Sequence, residues 1–192
     1  MSHFFAMLSR MKYISRWGLM RNTRSENLSE HSLETAITAH ALAVIGNKYF
    51  GKRYNTDRIA VLGMFHDVSE IITGDLPTPI KYYNPEINIA YKKIESVANQ
   101  KLLEYLPDEL AEEYAPLLSV TEEDKELIPL IKAADKITAL IKCLEEQKMG
   151  NKEFSKAEIS LREAIKNMNL QEANYFIGEF LKSFSLTLDE LG

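Results

Sequence analysis

The sequence predicts an all-α protein with a single domain spanning residues 1–192. Apolar residues recur every three or four positions along most of the chain, which is the period of a helix buried on one face. No segment alternates clearly in the manner of a strand, and no internal repeat or Pro/Gly/Ser-rich linker divides the chain. A length of 192 residues is enough for one well-buried core and short for two.

Composition and charge narrow the class of protein. A net charge of -5 argues against binding to a nucleic-acid backbone, which usually requires a basic surface. Arg10 and Lys12 interrupt the apolar N-terminal segment, unlike a signal peptide, and no apolar run is long enough to span a membrane. The single cysteine, Cys143, excludes an internal disulfide and fits a reducing compartment. We therefore expect a cytoplasmic protein with no nucleic-acid or membrane partner.

The N-terminal region divides into two segments. Residues 3–14 predict a short amphipathic helix, whereas residues 15–24 have no period and contain the helix breaker Gly18. The second segment holds the only tryptophan, Trp17, and three arginines. On the residues alone, Trp17 can be a plug at the edge of the core and Arg16 part of a solvated loop.

The next helix is predicted to begin around Asn27 or Ser29, where Asn27 and Glu30 have the spacing of a capping box, and to end at Gly46-Asn47. Its predicted apolar face consists of Leu33, Ala36, Ile37, Ala41, Leu42 and Val44. His31 falls in the first turn, at the rim of the core. His40 points to a different side of the helix, so we interpret it as a surface or satisfied core histidine rather than a second member of a His31 site.

A third helical pattern runs through residues 56–72 and ends in an adjacent histidine and aspartate, His66 and Asp67. Its buried stripe is predicted to contain Ile59, Leu62, Phe65 and Ile72, with Ala60 and Gly63 between them. Burying a bare carboxylate is strongly unfavourable, and a bound cation removes that cost. Glu70 lies three residues after Asp67 on the same helical face, which places a second carboxylate beside such a cation.

The segment after this helix contains Pro77 and Pro79, which make it a stiff loop. It is suited either to hold a ligand or simply to connect two helices with Asp75 as a cap. Further helices are predicted over 86–106, from Pro107, over 122–149 with a break or restart at Pro129, over 153–167 and over 171–182.

Asp135 lies in an apolar part of the 122–149 pattern, between Lys132 and Lys136. It can form a salt bridge with one of these lysines or act as a metal ligand. Cys143, eight residues later, is most simply a small buried apolar residue.

Four candidate metal ligands thus come from three helices: His31, His66, Asp67 and Asp135. Two imidazoles and two carboxylates suit a borderline divalent ion such as manganese, cobalt, iron or zinc better than calcium. No histidine occurs between Asp67 and Asp135 or after Asp135. We therefore predict one ion.

The order His…His-Asp…Asp resembles the HD superfamily of phosphohydrolases. The pair Arg16-Trp17, the segment Ser29-Glu30-His31-Ser32 and the loop Gly74-Asp75-Leu76-Pro77-Thr78-Pro79 extend the resemblance to the bacterial 5'-deoxynucleotidases of that superfamily. The resemblance covers nearly the whole chain. The metal quartet is common to many HD proteins, whereas the Arg-Trp pair and the GDLPTP loop are the specific parts.

The resemblance implies an HD-domain helical bundle with a single buried metal site. It also implies hydrolysis of deoxyribonucleoside 5'-monophosphates to deoxynucleoside and phosphate, usually by a homodimer, with selection against ribonucleotides. The implied metal ligands are His31, His66, Asp67 and Asp135. The implied catalytic residues are Glu70 as acid/base and Arg16 as the phosphate clamp. The implied substrate-binding residues are Arg16, Trp17, His31, Asp67, Asp75, Leu76, Pro77 and Thr78, with Trp17 walling the sugar near C2'.

Two alternatives remain open at the level of sequence. The first is another HD phosphohydrolase acting on a nucleoside triphosphate, a cyclic nucleotide or an alarmone. A triphosphate would need more cations near the ligands than Arg16 and Lys81 supply. The second is a non-catalytic helical module that binds a metal or a nucleotide, for which the free carboxylate of Glu70 would have no use.

Overall fold

The computed structural model describes residues 1–81, 83–119 and 121–192, with only the backbone at Thr78 and Pro79. Helices form its architecture, and the described residues contain no strand beyond an isolated bridge between Ser15 and Asn27. The prediction of an all-α fold is confirmed. The helices are α1 Phe4–Leu8, α2 Leu28–Tyr49, α3 Thr56–Phe65, α4 Glu70–Thr73, α5 Thr78–Lys81, α6 Pro85–Leu103, α7 Asp108–Leu118, α8 Ile128–Lys148, α9 Ser155–Asn167, α10 Gln171–Phe180 and α11 Leu188–Leu191.

Local capping chemistry sets the start of α2. The Asn27 side chain accepts a hydrogen bond from the Glu30 amide, and the Glu30 carboxylate accepts one from the Asn27 amide, both at 3.1 Å. The predicted capping box is therefore present. The predicted N-terminal helix is α1 followed by a tighter 3-10 turn over Ser9–Tyr13. No helix among the described residues is long and apolar enough to cross a membrane.

The buried face of α2 differs from the prediction. Leu33, Ile37 and Val44 are 55%, 61% and 43% exposed, so their assignment to the core was wrong. The face that packs inward consists of Leu28, His31, Ser32, Thr35, Ala36, Thr38, Ala39, Leu42, Ala43 and Ile45. This helix carries two apolar stripes, and the inner one is interrupted by polar residues that meet other helices. The predicted and the observed faces share Ala36 and Leu42, which are buried as predicted. Periodicity alone favoured exposed apolar positions over the polar ones that face inward.

The close contact between α2 and α3 brings two helices that bear histidine together. A Cβ atom at Gly63 would lie 2.8 Å from the Ala36 Cα, so only glycine permits this approach. The rings of His31 and His66 consequently lie 5.3 Å apart, centroid to centroid. Helix α8 packs against the same face of α2 and completes the main core, which includes Leu42, Ile59, Leu62, Leu130, Ile137 and Leu140.

A tight turn follows α3, where a continuous helix over 56–72 was predicted. Helix α3 ends at Phe65, and the Glu70 amide then donates to the Asp67 carbonyl at 2.9 Å, a three-residue spacing. Such spacing stacks residues i and i+3 on one side, which aligns Asp67 with Glu70. Ile72 is 45% exposed, so its predicted place in the buried stripe was wrong.

A second apolar cluster anchors this turn. Val68 and Ile71 pack with Phe4 of α1, Leu28 of α2 and Leu102 of α6. The residues that flank Glu70 are thus held by three helices.

The C-terminal half follows the predicted pattern with shifted boundaries. Helix α8 begins at Ile128 with Pro129 in its first turn, which agrees with the predicted restart of the helix at this proline. The first turn tolerates proline because its amides have no helical acceptor. Cys143 is fully buried, as predicted for a small apolar residue.

Candidate active site

Four side chains from three regions converge on one point. His31 comes from the first turn of α2, His66 and Asp67 from the end of α3, and Asp135 from α8. One donor atom from each lies within 4.8 Å of the others. A single ion with bonds of about 2.0–2.2 Å can reach all four after small side-chain movements. The four residues predicted as ligands are brought together.

The hydrogen bonding of His66 favours a cation at this point. Its Nδ1 lies 2.8 Å from the Gly63 carbonyl, which can only accept, so Nδ1 carries a hydrogen and Nε2 is the atom turned toward Asp67. The buried Nε2 has no well-aligned hydrogen-bond partner among the described residues, although Asp67 Oδ2 is 3.0 Å away. Burial lowers the pKa of His66, but Asp67, Asp135 and the Gly63 carbonyl together raise it to about 9 in the metal-free protein. A ring nitrogen and a carboxylate this close require positive charge between them, which a proton supplies without metal and a metal ion can supply in its place. The donor set therefore fits a divalent metal ion.

The two other ligands face each other across the site. His31 is fully buried, and its Nε2 lies 3.2 Å from Asp135 Oδ1 and 3.7 Å from Asp67 Oδ2. Asp135 therefore turns toward His31, and the alternative of a salt bridge with a neighbouring lysine finds no contact among the described residues. Burial raises the pKa of Asp135 most, but the hydrogen bond with His31 and the charges of His31 and His66 together bring it below its ordinary value, so the group is a carboxylate.

Arg16 approaches the four converging side chains from the loop before α2. Its Nη1 lies 3.6 Å from Asp67 Oδ2 and its Nε 3.7 Å from Glu26 Oε2, both longer than hydrogen bonds. The buried Nε has no hydrogen-bond partner among the described residues. Burial lowers the pKa of the guanidinium, but the carboxylates around it raise the pKa more, and it stays charged. Arg16 thus keeps donors free for an anion.

Trp17 is held in a backbone conformation that is unusual for a large residue. Its φ is 58°, in the left-handed region. The indole Nε1 donates to Glu26 Oε2 at 2.7 Å, and the ring packs against Phe154 with centroids 5.2 Å apart. Trp17 is therefore a half-buried residue whose ring packs at the edge of the core, as a plug would, and whose indole is also fixed by a specific polar contact.

Glu26 is a residue that sequence reasoning missed. It lies one position before the Asn27 cap and resembles a loop residue in the sequence, yet it is only 8% exposed. Its carboxylate faces Arg16, Trp17 and His31. Neither periodicity nor spacing distinguishes it, since its neighbours come together only in the folded chain.

Glu70 is a buried acid beside the quartet. It is 3% exposed, and its Oε2 has no hydrogen-bond partner among the described residues. Burial raises the pKa of its carboxyl group most, and the charges of Asp67 and Asp75 raise it further. Arg16 and Lys81 oppose this only in part, so the pKa reaches about 9. A carboxyl group in this environment holds a proton at neutral pH.

The loop after α4 lies next to these groups. Asp75, Leu76 and Pro77 are partly buried and irregular in backbone, and the charge of Asp75 acts on both Glu70 and Arg16. The predicted role of the Thr78 side chain falls outside the described residues. His40 is exposed on α2, away from the quartet, as the sequence predicted.

A cavity of about 360 Å³ opens beside His66, Asp67 and Asp135. Its charged rim includes Lys81, which is paired with Glu95 at 3.1 Å. The apolar wall consists of Leu62, Phe65, Leu117, Leu118, Ile128 and Ile131, and Lys132 completes the lining. The cavity has the size expected of a small-molecule site.

Comparison with known proteins identifies the family. A family model described as 5'-deoxynucleotidase YfbR-like matches residues 3–184. The chain belongs to the YfbR-like 5'-deoxynucleotidase family. Curated relatives agree with this assignment. The 5'-deoxynucleotidase of Photorhabdus temperata is 54% identical over 191 residues, covering 100% of this chain and 97% of that protein. The 5'-deoxynucleotidase of Photobacterium profundum is 54% identical over 190 residues, covering 99% and 98%.

Solved structures share the fold of this YfbR-like protein. An HD-domain phosphohydrolase from Listeria innocua matches with a TM-score of 0.79 and 23% identity, over 95% of this chain and 88% of that one. A cyanophage S-2L HD phosphohydrolase, bound to dA and one catalytic Zn²⁺ ion, matches with a TM-score of 0.67 and 20% identity, over 93% and 96%. At such identities the likeness establishes the HD-domain fold alone.

Several predictions are settled by this assignment. The HD-domain fold, the membership of the 5'-deoxynucleotidase family and the identity as a hydrolase are confirmed. The quartet can hold one divalent metal ion. The identity of the metal, the roles of individual residues, selection against ribonucleotides, the homodimer and the cytoplasmic location stay predictions.

Proposed function

We propose that this YfbR-like enzyme hydrolyses deoxyribonucleoside 5'-monophosphates with one divalent metal ion and discriminates against the corresponding ribonucleotides. The observation that carries the proposal is the unpartnered His66 Nε2 beside Asp67, with the free donors of Arg16 on the same carboxylate. A dication and a guanidinium on one acidic centre recognise a phosphate dianion.

The metal site is proposed to consist of His31, His66, Asp67 and Asp135. Two imidazoles with two carboxylates suit cobalt, manganese or a similar transition metal. When bound, such an ion supplies Lewis acidity toward a phosphate oxygen and toward the attacking water. These four residues would hold the ion and would leave coordination positions for a phosphate oxygen and a water.

Glu70 is proposed as the proton donor to the leaving group. Phosphate-ester hydrolysis forms a bond from a water oxygen to phosphorus and breaks the bond from phosphorus to the 5'-oxygen. The 5'-oxygen leaves the monoester with a proton supplied by the neutral Glu70 carboxyl group, and the carboxylate regains a proton from the attacking water. The burial of Glu70 beside Asp67, which raises its pKa in the metal-free protein, supports a role in proton transfer.

Arg16 is proposed to orient the phosphate. Its planar guanidinium can donate two parallel hydrogen bonds to phosphate oxygens, a geometry that lysine cannot copy. The long distances from Arg16 to Asp67 and Glu26 support this role, because those carboxylates hold its position without saturating its donors.

Substrate selectivity provides the test of the proposal. Metal-stripped protein reconstituted separately with cobalt, manganese, magnesium or zinc is expected to release phosphate from dAMP and not from AMP. A transition metal is expected to support the highest rate. Release of pyrophosphate from triphosphates, or opening of a cyclic nucleotide, would instead assign another HD phosphohydrolase activity. No release with any of the four metals and these substrates would indicate a binding module.

Trp17 is proposed as the wall that excludes the 2'-hydroxyl. Replacing Trp17 with alanine is expected to raise the ratio of AMP to dAMP turnover by up to ~10²-fold, the usual range for rejection of one added hydroxyl by an apolar surface. Steady-state kinetics on both nucleotides measures this ratio. Leu19→Ala, an exposed apolar position in the same loop, is the matched control. An unchanged ratio in the Trp17 variant would contradict the sugar-wall role.

We further propose a cytoplasmic homodimer in which residues 1–192 act as one domain. The exposed apolar side chains of Leu33, Ile37 and Val44 on α2 support a subunit contact. The buried free thiol of Cys143 supports a reducing compartment. Sedimentation velocity of the wild type and of Ile37→Lys tests the contact, and a wild-type protein that is monomeric at micromolar concentration contradicts it.

A further inference from the structure

The buried carboxylate of Glu26 is not explained by the fold. It caps no helix, because Asn27 caps α2. It is 8% exposed and faces three side chains that have separate proposed roles. Burying a carboxylate costs free energy unless its partners compensate for the lost hydration. The side chains that contact Glu26 therefore indicate what it does in the folded protein.

The first partner is Trp17. The hydrogen bond from the indole Nε1 to Glu26 Oε2 is 2.7 Å long, shorter than a typical N–H···O bond. A tryptophan at φ 58° carries backbone strain that surrounding contacts must offset. Phe154 packs on the ring but offers no polar group. The hydrogen bond to Glu26 is therefore the contact that fixes the direction in which the indole N–H points.

The second partner is Arg16, which lies between two carboxylates. Glu26 Oε2 is 3.7 Å from Nε at one end of the guanidinium, and Asp67 Oδ2 is 3.6 Å from Nη1 at the other. The backbone adds to this arrangement, because the Arg16 amide donates to the Glu26 carbonyl at 3.0 Å. The guanidinium is therefore oriented along the line from Glu26 to the metal ligand Asp67.

The third partner is the metal ligand His31. Its Nε2 faces Asp135, so the proton of the ligating tautomer belongs on Nδ1. Glu26 Oε1 lies 3.7 Å from Nδ1, with the Thr138 hydroxyl at 3.5 Å. The Thr138 hydroxyl is therefore the hydrogen-bond partner of Nδ1, and Glu26 acts on the ring through its charge, which raises the basicity of a ligating histidine.

We propose that Glu26 is a positioning residue that joins the sugar wall, the phosphate clamp and the metal site through one carboxylate. Its two carboxylate oxygens contact different partners. Oε2 holds Trp17 and Arg16, and Oε1 faces His31. Sugar selectivity and metal affinity are then linked through a residue that touches neither substrate nor metal. The role of Trp17 in this proposal rests on the proposed function.

The protein carries its own probe for this proposal, because Trp17 is its only tryptophan. Intrinsic fluorescence and acrylamide quenching report on the indole without substrate or metal. Three variants separate the contacts. Glu26→Ala removes both oxygens, Glu26→Gln keeps an oxygen that can accept from the indole but loses the charge, and Ser25→Ala changes an exposed neighbour as a control.

Glu26→Ala is expected to increase acrylamide quenching of Trp17 and to lower the preference for dAMP over AMP toward that of Trp17→Ala. Glu26→Gln is expected to keep the quenching of the wild type while binding cobalt 10–100-fold more weakly, the range for loss of a partner behind a ligating histidine. Cobalt binding is followed by direct titration of metal-stripped protein. Ser25→Ala should match the wild type in all three measurements.

Wild-type quenching and nucleotide preference in Glu26→Ala would overturn the link to Trp17, and wild-type cobalt affinity in Glu26→Gln would overturn the link to His31. If Glu26→Ala does not fold, the cobalt titration of Glu26→Gln tests the proposal instead. Weaker cobalt binding would support it, and the affinity of the wild type would contradict it. A wild-type enzyme that hydrolyses AMP and dAMP equally would remove the proposed selectivity. In that case quenching and cobalt affinity still test Glu26, so the two failures are distinguishable.

Discussion

Replacing Glu70 with glutamine is expected to lower kcat for dAMP by about 10²–10⁴-fold, the usual contribution of a positioned general acid. Glutamine has nearly the same shape but cannot give up a proton on the time scale of the reaction. Because Glu70 is not one of the four converging donors, cobalt binding should remain. Single-turnover phosphate release and direct cobalt titration separate the chemical step from metal loading.

The same Glu70→Gln substitution that lowers kcat is expected to preserve or increase the free energy of unfolding at alkaline pH. Burial first, then Asp67 and Asp75, raise the pKa of Glu70 from 4.5 to about 9 in the folded protein without metal. Between these values the folded state binds more protons than the unfolded state, so stability is lost as pH rises. Glutamine has no proton to lose. At pH 8, metal-stripped Glu70→Gln should therefore be at least as stable as the wild type.

The surface position Glu112→Gln provides the matched control and should behave as the wild type in turnover and stability. Thermal unfolding of the three proteins at pH 5 and pH 8 measures the stability difference. Turnover by Glu70→Gln within a factor of ten of the wild type would remove Glu70 from the catalytic machinery. Loss of cobalt binding would show instead that Glu70 contributes to the metal site.

Replacing Glu146 with alanine is expected to destabilise the protein by about 3–5 kcal/mol, the cost of leaving one partner of a buried ion pair alone. The side chains of Glu146 and Lys142 are 1% and 7% exposed and pair with each other on α8. Glu146 Oε2 also accepts hydrogen bonds from the Thr23 hydroxyl at 2.7 Å and from Asn151 Nδ2 at 2.8 Å. Its other oxygen accepts from the Arg24 amide at 3.2 Å.

These hydrogen bonds attach the loop that carries Arg16 and Trp17 to α8. Burial raises the pKa of Glu146, but the hydrogen bonds from Lys142, Thr23 and Asn151 together hold it well below its ordinary value of 4.5. A depressed pKa contributes stability above 4.5 that is lost as pH falls. The difference in free energy of unfolding between the wild type and Glu146→Ala should therefore be largest at pH 7 and should become smaller as the pH falls below 4.5.

Denaturant titration at pH 7 and pH 4 measures this difference, and a decrease in Tm of roughly 6–20 °C is the corresponding thermal effect. Glu145→Ala, the exposed neighbour on the same helix, should change the free energy of unfolding by less than about 0.5 kcal/mol. Equal stability of the Glu146 variant and the wild type would contradict the anchoring role of this pair.

Features set by neighbouring residues could be predicted from the sequence. The capping box of Asn27 and Glu30 and the positions of most helices follow from spacings of three or four residues. The quartet could also be proposed, because unpaired acids and histidines on apolar faces need compensation. The geometry of the four side chains agrees with that reasoning.

Features set by contacts between distant segments could not be predicted. Apart from Ala36 and Leu42, the inward face of α2 was missed, because it contains polar residues whose partners, such as Thr138 on α8, lie more than 100 positions away. The tight turn after Phe65 was missed because apolar spacing continues through it, while packing of Val68 and Ile71 on three helices selects the shorter repeat.

Helical periodicity, capping and the chemical types of the ligands are local properties, so the sequence alone specified an all-α protein with a His/Asp metal centre. The burial of Glu26, the neutral state of Glu70 and the anchoring of the Trp17 loop by Glu146 arise from tertiary packing. Each depends on which charges the fold brings together and on how much water it removes. Those quantities are set in three dimensions, so residue spacing does not reveal them.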